Sequence, residues 1–396
     1  MTQEAMAYLN QALDLIQECF VRREHVDWTT FRQKVCALAT QAHTPSETYP
    51  AIERALELLG DHHSHFRDPA NVQLILDEGM LQSVGLRAIY PEGTIGLVLP
   101  SGPAQEAGLQ VGDRIETVNG QPITQLSLRQ FQKAFKEKQL NLTVIPAGKG
   151  PARAVSLQET PCTFWSPRGW RLEHDIGYLE LPAHAGDPKH QGKAYAQEVQ
   201  QIIREIDRKA TCGWVIDLRR NIGGGFWQML AGVGPILGEG ACVSFVGPSE
   251  LSAGFYREGQ AYAEPGEYGE PREVIVEVDE AYELKRPWPP VAVLTSQLTT
   301  SAGEFVTLSF RGRPRTRSFG EPTCGIPTGP DHKVLSDGAF LLITSCLGAD
   351  RTGQTYDSQL IPDQQIKVNW TQLGTTNDPV LQAALQWLHN EEGCLK

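Results

Sequence analysis

The first 66 or so residues show the hydrophobic pattern of amphipathic helices. Three stretches with apolar residues on one face are separated by turn signals near Asp27 and Pro45, which predicts three helices. In the first stretch the apolar positions recur every three or four residues: Met6, Leu9, Leu13, Ile16 and Phe20. Acidic residues stand between them, where a secretory leader would carry lysines and then a solid apolar block. We therefore expect no signal peptide in this stretch.

The middle of the chain changes to short alternating runs. Residues 96–104 predict a strand that ends in a Pro/Gly turn, and residues 112–120 predict a turn, an alternating strand and an Asn-Gly hairpin. A helix is expected over 127–136, with Ser127 as its N-cap, followed by a strand over 140–145. This region is predicted to be a small β-rich domain.

From residue 176 onward, strands and helices alternate. Near-continuous apolar strands are expected over 177–181, 213–218, 291–295 and 340–344, and helices over 191–209, 226–237, 302–310 and 379–388. This alternation predicts an α/β core with a mostly parallel sheet. Residues 245–288, rich in Gly, Pro, Glu and Tyr, are expected to form a long surface excursion. The predicted organisation is a helical segment, a β-rich domain and an α/β core, over residues 1–75, 76–162 and 163–396.

Composition narrows the possible partners. The 396 residues include 35 Lys and Arg against 47 Asp and Glu, a net charge of −12. Such a surface repels phosphate backbones and anionic lipids, so neither nucleic acid nor a membrane is expected as a partner. No uninterrupted apolar run is long enough to span a bilayer. The eight cysteines are scattered and include no C-x-x-C pair, which predicts reduced thiols in a cytoplasmic protein.

A candidate nucleophile lies in the sequence T-T-S-A-G-E over residues 299–304. It follows the predicted strand 291–295 and opens a helix, so Ser301 is expected on a strand-to-helix turn. Helix-terminal N–H groups there point at any negative charge that develops. The alternative is that Ser301 only caps the helix, with Glu304 completing a capping box.

A glycine run ends the predicted strand 213–218, in the sequence D-L-R-R-N-I-G-G-G over 217–225. Consecutive backbone N–H groups in such a run could stabilise an oxyanion. A nucleotide-binding loop is the competing interpretation. The motifs G-x-G-x-x-G and G-x-x-x-x-G-K-[ST] are both absent, which argues against it.

A serine nucleophile needs a base, and G-D-H-H-S-H over 60–65 supplies candidates. We take His63 as the base. The three histidines with Asp61 could instead bind a metal ion, or lie on the surface as solvated side chains. No H-E-x-x-H motif and no downstream ligand cluster accompany them, so no metal is expected.

The stretch G-P-A-Q-E-A-G-L-Q-V-G-D-R-I-E-T-V-N-G over 102–120 resembles the PDZ family. That resemblance implies a domain in which a peptide C-terminus adds a strand to a sheet edge and backbone amides hold its carboxylate. The loop that matches the carboxylate-binding loop of the family is Val84-Gly85-Leu86.

The order of the motifs carries a second resemblance. L-G-D-x-H-S, the PDZ block, D-L-R-x-N-x-G-G, T-S-A-G-E, F-G-E-P-T-x-G and L-I-P-D together resemble the serine peptidase family of C-terminal processing (tail-specific) proteases and tricorn core proteases. The resemblance implies a crotonase/ClpP-like α/β core, peptides or protein C-terminal tails as substrates, and assembly into homo-oligomers.

Two branches of that family activate the serine differently. One uses a Ser–Lys dyad, with the lysine in an F-G-K-G segment, and here Glu321 stands in that place in S-F-G-E-P-T. A carboxylate cannot supply the role of that lysine. The tricorn-like branch uses a serine and a histidine, which Ser301 and His63 match. Its acidic residue is expected at Asp357, upstream of Q-L-I-P-D.

The mechanism that the resemblance implies is acyl transfer. Ser301 attacks a peptide carbonyl while His63 takes its proton and later gives it to the leaving amine. Backbone N–H groups of Gly223 or Gly224, and of Ala302, hold the oxyanion. No metal and no cofactor are needed. A catalytically silent binding protein on a peptidase scaffold and an acyl-CoA enzyme with a similar α/β core are the alternatives.

Overall fold

The N-terminal part of the protein is helical. The computed structural model describes residues 1–135, 137–148, 150–185, 193–248, 251–265, 273–391 and Cys394. Its first elements are α1 (Gln3–Cys19), α2 (Trp28–Leu38), α3 (Tyr49–Leu59), β1 (His65–Arg67) and α4 (Pro69–Glu78). The side chains of Thr2 and Asp27 cap α1 and α2, and Gly60 ends α3 in the left-handed conformation. The three helices predicted before residue 66 are therefore confirmed.

The middle of the chain forms the β-rich domain. Its elements are β2 (Leu81–Ser83), β3 (Leu86–Ala88), β4 (Ile95–Val98), α5 (Pro103–Glu106), β5 (Arg114–Val118), β6 (Gln121–Pro122), α6 (Leu128–Ala134), β7 (Gln139–Ile145), β8 (Arg153–Gln158) and β9 (Thr160–Cys162). Ser127 caps α6 as predicted, in a capping box with Gln130, and residue 136 of the predicted helix lies outside the described residues. Strands β2 and β9 pair, so the two ends of the domain lie side by side.

The rest of the chain builds the α/β core. Its elements are β10 (Arg168–Arg171), β11 (Ile176–Glu180), α7 (Lys193–Ile206), β12 (Gly213–Asp217), α8 (Phe226–Leu237), β13 (Gly240–Val246), β14 (Leu251–Arg257), β15 (Gln260–Pro265), β16 (Glu273–Glu277), β17 (Val291–Thr295), α9 (Ala302–Phe310), β18 (Thr316–Gly320), β19 (Thr328–Val334), β20 (Phe340–Ala349), β21 (Thr355–Tyr356), β22 (Gln364–Gln365) and α10 (Pro379–His389). Residues 191 and 192 of the helix predicted before β12 lie outside the described residues. In the part of the chain that the structure describes, no helix is long and apolar enough to cross a bilayer.

A mostly parallel sheet forms the centre of this core. Among the described residues its strand order is β10-β11-β12-β17-β18-β22, and every pair is parallel except β10 with β11. Strands β11, β12 and β17 are buried along their whole length, which is why they appear in the sequence as continuous apolar runs. The predicted α/β core is confirmed.

The core also contains a second, antiparallel sheet, which was not predicted and which includes residues from 245–288 and 340–344. Its strand order in the described residues is β1-β20-β13-β14-β15-β16, with β19 and β21 also paired to β20. Residues 245–288 were expected to be a surface excursion, but the described part supplies β14, β15 and β16, whose inward side chains include Tyr256, Ala261 and Val276. The strand predicted over 340–344 belongs to this sheet and continues to Ala349. Short alternating strands with one covered face carry a weaker signal than buried parallel strands do.

The N-terminal helices pack on this second sheet. Leu9 of α1 and Ile52 of α3 share one buried cluster with Leu341 and Ile343 of β20. The segment between α3 and β1, which carries His63, is thereby held against the core. Strand β4 of the β-rich domain approaches the core at Gly96, where an added Cβ would lie 2.8 Å from a methyl group of Leu298.

A disulfide corrects the expectation that all the cysteines are reduced. Cys212, just before β12, is bonded to Cys394 near the C-terminus, and their Cα atoms are 5.0 Å apart. The other six cysteines are free. The two partners are 182 positions apart, so nothing in their local sequences indicates that they meet.

Replacing Cys212 with serine is expected to lower the free energy of unfolding by about 2–4 kcal/mol, because the bond restricts the unfolded chain. Thermal unfolding of Cys212→Ser, Cys394→Ser and the double variant should give equal losses, since all three lack the same bond. Cys36→Ser, at a partly exposed free thiol, is the control. Eight reactive thiols in the denatured, unreduced protein would contradict the assignment.

Candidate active site

Ser301 lies at the start of α9 in an unusual backbone conformation. Its φ is 52° and its ψ is −115°. N-cap residues normally have extended φ and ψ values, and a positive φ costs free energy in a residue with a side chain. The Glu304 carboxylate accepts a hydrogen bond from the Ser301 N–H at 2.9 Å, as in a capping box. Capping alone does not require the strained φ, whereas a sharp turn that presents a nucleophile does.

The turn that carries Ser301 is bonded to the segment after β12. The Ser296 hydroxyl donates to the carbonyl of Arg219 at 2.6 Å, and the Thr300 N–H donates to the carbonyl of Asn221 at 3.0 Å. Arg219 is itself fully buried between the carboxylates of Asp217 and Asp378, with contacts of 2.6 and 2.7 Å. Moving Arg219 away from either carboxylate would leave a buried charge without a partner, which costs free energy. The two ion pairs therefore fix the position of the segment after β12.

Two glycines of that segment have conformations that a side chain would disturb. Gly223 has φ 99°, and an added Cβ would lie 3.0 Å from the Ser301 Cβ. Gly224 has φ 109°, and an added Cβ would lie 1.8 Å from the carbonyl oxygen of His184. The glycine run predicted beside the serine therefore lies against it, and both positions require glycine.

Gly223 was predicted as one possible oxyanion donor, and its hydrogen bonding argues against that role. Its N–H donates to Oδ1 of Asn221 at 2.9 Å and so is already engaged. The amides of Gly224 and Ala302 make no hydrogen bond within the described residues. The Gly223 carbonyl accepts from the His184 N–H, and in a trans peptide the next N–H, that of Gly224, points the opposite way. Gly224 and Ala302 are thus the donors that the geometry leaves available beside Ser301.

His63 lies between α3 and β1 and is partly buried. Its Nδ1 is 2.7 Å from the hydroxyl oxygen of Thr328, the first residue of β19. Burial lowers the pKa of His63 to about 4, and the negative charge of Asp61 opposes this shift. The ring is therefore neutral at pH 7 and able to accept a proton. His62 next to it is exposed, and among the described residues no group of three His, Cys, Asp or Glu side chains is placed to hold a metal ion.

The structure links His63 to Ser301 through the loop before β19. Glu304 accepts hydrogen bonds from the Thr323 hydroxyl and from the N–H groups of Gly325 and Ile326, besides that of Ser301. Thr328, the partner of His63, follows two residues later. No hydrogen bond joins the Ser301 hydroxyl to His63 in the described structure, and such contacts often tighten only when substrate binds.

Glu304 is the buried carboxylate of this site. Burial raises its pKa to about 7, against the lowering effect of its four hydrogen-bond donors. The sequence indicated Glu304 only as a capping residue. In the structure it also holds the 323–326 loop beside the nucleophile.

Comparison with known proteins supports a peptidase site. Residues 175–366 match the model of peptidase family S41, and residues 94–146 match that of the PDZ domain. The chain carries a family S41 peptidase domain. A carboxyl-terminal-processing protease of Synechocystis sp. is 25% identical over 411 residues, covering 97% of this chain and 87% of that protein. The family makes this chain a serine-type peptidase.

Two solved structures share the fold over nearly the whole chain. A lipoprotein from Streptococcus agalactiae has a TM-score of 0.60 and 18% identity, covering 98% of this chain and 97% of that one. The photosystem II D1 C-terminal processing protease has a TM-score of 0.58 and 20% identity, covering 93% and 94%.

Asp357 does not lie at the site of this peptidase domain, so its predicted role was wrong. Its side chain is 61% exposed and pairs with Arg22 at 3.2 Å. The group that contacts the His63 ring is the Thr328 hydroxyl. The register of the L-I-P-D motif was the basis for choosing Asp357, and that motif does not determine which polar group faces the histidine.

Glu321, which stands in the place predicted for a lysine, is buried. Its carboxylate accepts from the Val368 N–H at 3.2 Å, and burial raises its pKa. The stretch that Glu304 holds beside Ser301 is Thr323-Cys324-Gly325-Ile326, which contains no lysine. Neither position supplies the base of a Ser–Lys dyad.

The predicted carboxylate loop of the PDZ domain forms a tight turn before β3. Gly85 has φ 79°, and its N–H donates to the Ser83 hydroxyl at 3.0 Å, so this amide is engaged within the loop. Val84 and Leu86 are buried. In the described residues β3 pairs with no strand but β4, and the Leu86 carbonyl already accepts a hydrogen bond from the Arg87 side chain at 3.0 Å.

Proposed function

We propose that this peptidase cleaves peptides or protein C-terminal tails by a Ser–His mechanism, with Ser301 as nucleophile and His63 as base. The observation that carries the proposal is the strained Ser301 at the start of α9, flanked by the unengaged amides of Gly224 and Ala302. A binding protein has no need of a strained serine beside two such donors. The resemblance of the chain to carboxyl-terminal-processing proteases supports tails as substrates.

The chemistry follows from the positions of these groups. The mechanism requires the His63 tautomer with its proton on Nδ1, which donates to the Thr328 hydroxyl, so that Nε2 accepts the proton of the Ser301 hydroxyl. The hydroxyl oxygen attacks the carbonyl carbon, and the oxyanion is held by the N–H groups of Gly224 and Ala302. His63 then protonates the leaving amine, and water hydrolyses the acyl-enzyme by the same path in reverse.

The PDZ domain is proposed to deliver the tail. The edge of β3 away from β4 accepts an extended peptide as an added strand, whose backbone N–H replaces the Arg87 guanidinium at the Leu86 carbonyl. The domain packs on the core at Gly96 and Leu298, three residues before Ser301. A tail bound at β3 is thus held next to the turn that carries the nucleophile. Oligomeric assembly and a cytoplasmic location remain predictions, and the Cys212–Cys394 disulfide weighs against the second.

Labelling with a fluorophosphonate probe tests the proposal. We expect one probe per wild-type chain and none on Ser301→Ala, because only an activated serine attacks the phosphorus. Ser336→Ala, at an exposed serine outside the site, is the matched control and should label like the wild type. A folded wild-type protein that neither labels nor hydrolyses peptides would support the silent binding protein instead.

A further inference from the structure

Four aromatic rings form a cluster beside the nucleophile. Phe226 directly follows the glycine run and begins α8, and Phe305 lies four residues after Ser301, in the first turn of α9. Their ring centroids are 5.5 Å apart, and Phe245 of β13 stacks on Phe305 at 5.1 Å. Trp227 completes the cluster, 5.5 Å from Phe245.

The register of the second sheet brings the same cluster close to the base. Phe245 pairs with Gly348 of β20, and the neighbouring residue of β20, Leu347, pairs with Thr328, the partner of His63. A Cβ on Gly348 would lie 3.1 Å from the Phe305 ring, so the ring rests on this part of the sheet. The cluster therefore spans the space between the helix of the nucleophile and the strand that anchors the base.

Part of the cluster is accessible. Phe226 and Phe305 are buried, at 8% and 3% exposure, whereas Trp227 and Phe245 are only partly buried. Gly254 of β14 lies beneath these two rings, since its Cβ would be 3.4 Å from both. Partly exposed aromatic rings stabilise an apolar side chain placed on them, whereas a charged one would lose hydration there without gaining a partner.

We infer that the aromatic cluster Phe226/Trp227/Phe245/Phe305 is the subsite for the substrate residue whose carbonyl Ser301 attacks, and that it selects a large apolar side chain. This inference rests on the proposed function and adds to it the class of bond that is cleaved. The partly buried rings of Trp227 and Phe245 contact that side chain, and the two buried rings hold them in place.

Peptides that differ only in the residue before the scissile bond test the inference. For wild-type protein we expect kcat/KM to be at least about tenfold higher with Leu or Phe at that position than with Ala, Lys or Glu. In Phe245→Ala the preference for Leu over Ala should fall about tenfold. Phe255→Ala, which removes a partly exposed ring stacked on Tyr262 in the same sheet, should keep the wild-type preference.

Each outcome decides a different point. A labelled Ser301 with a preference for charged or small residues, or an unaltered Leu/Ala ratio in Phe245→Ala, would overturn the subsite and leave the proposed function standing. Absent labelling and absent hydrolysis in the wild type would overturn both. If Phe245→Ala fails to fold, Trp227→Leu, at the other accessible ring, must show the same loss of preference.

Discussion

Replacing His63 with alanine is expected to lower kcat/KM for peptide hydrolysis by about 10⁴-fold or more, because the Ser301 hydroxyl loses the group that takes its proton. The loss should fall on kcat, measured with the best peptide of the series. His62→Ala, at the exposed neighbouring ring, and Asp357→Asn, at the surface, should keep wild-type rates. An equal loss in Asp357→Asn would contradict the placement of the site.

The hydroxyl of Thr328 should act through the His63 ring. Thr328→Val removes the contact to Nδ1, so we expect a smaller loss of kcat than in His63→Ala, and Thr328→Ser should restore most of it. A purely structural role for Thr328 would show no such rescue by serine.

The pH dependence of the rate should distinguish the protonation of His63 from that of Glu304, because their pKa values differ. Below its pKa of about 4 the His63 ring is protonated and cannot accept the serine proton, whereas an exposed histidine would titrate near 6.5. Glu304, with a pKa of about 7, loses an acceptor for the amides beside Ser301 as it becomes protonated. In Glu304→Gln any fall in rate near pH 7 should disappear, and the fall at the pKa of His63 should remain.

Local sequence patterns were enough to predict the elements that position the nucleophile. A buried strand, a turn and a helix start are each encoded within a few residues, which is why the turn at Ser301 and the close glycines at 223 and 224 could be found. The helices before residue 66 follow equally from their periodicity and caps.

Side-chain partners at long range could not be predicted in the same way. Thr328 lies 265 positions from His63, and which polar group meets the ring depends on the register of β19 against β20, which shifts between Gly329 and Pro330. The engagement of the Gly223 amide likewise depends on the rotamer of one side chain, that of Asn221. Such contacts are set by tertiary packing, and no residue pattern along the chain records them.

Replacing Gly224 with alanine is expected to lower kcat by at least about 10²–10³-fold, the usual cost of losing one oxyanion donor. The added Cβ would lie 1.8 Å from the carbonyl oxygen of His184, and φ 109° is unfavourable for any residue with a side chain. The loop must therefore move, and the Gly224 N–H moves with it. KM should change little, because the donor binds the oxyanion more strongly than the substrate carbonyl.

Gly240→Ala is the matched control for the backbone strain alone. Gly240 has φ 111°, nearly the same as Gly224, but no atom lies within 4 Å of its added Cβ. If both variants lost activity and stability equally, strain and not the oxyanion donor would explain the effect. A second variant alters the loop that carries the Gly224 N–H without replacing Gly224 itself. Asn221→Ala removes the acceptor of the Gly223 N–H and the donor to the Leu181 carbonyl, so it should lower kcat in the same direction if the loop geometry stabilises the transition state.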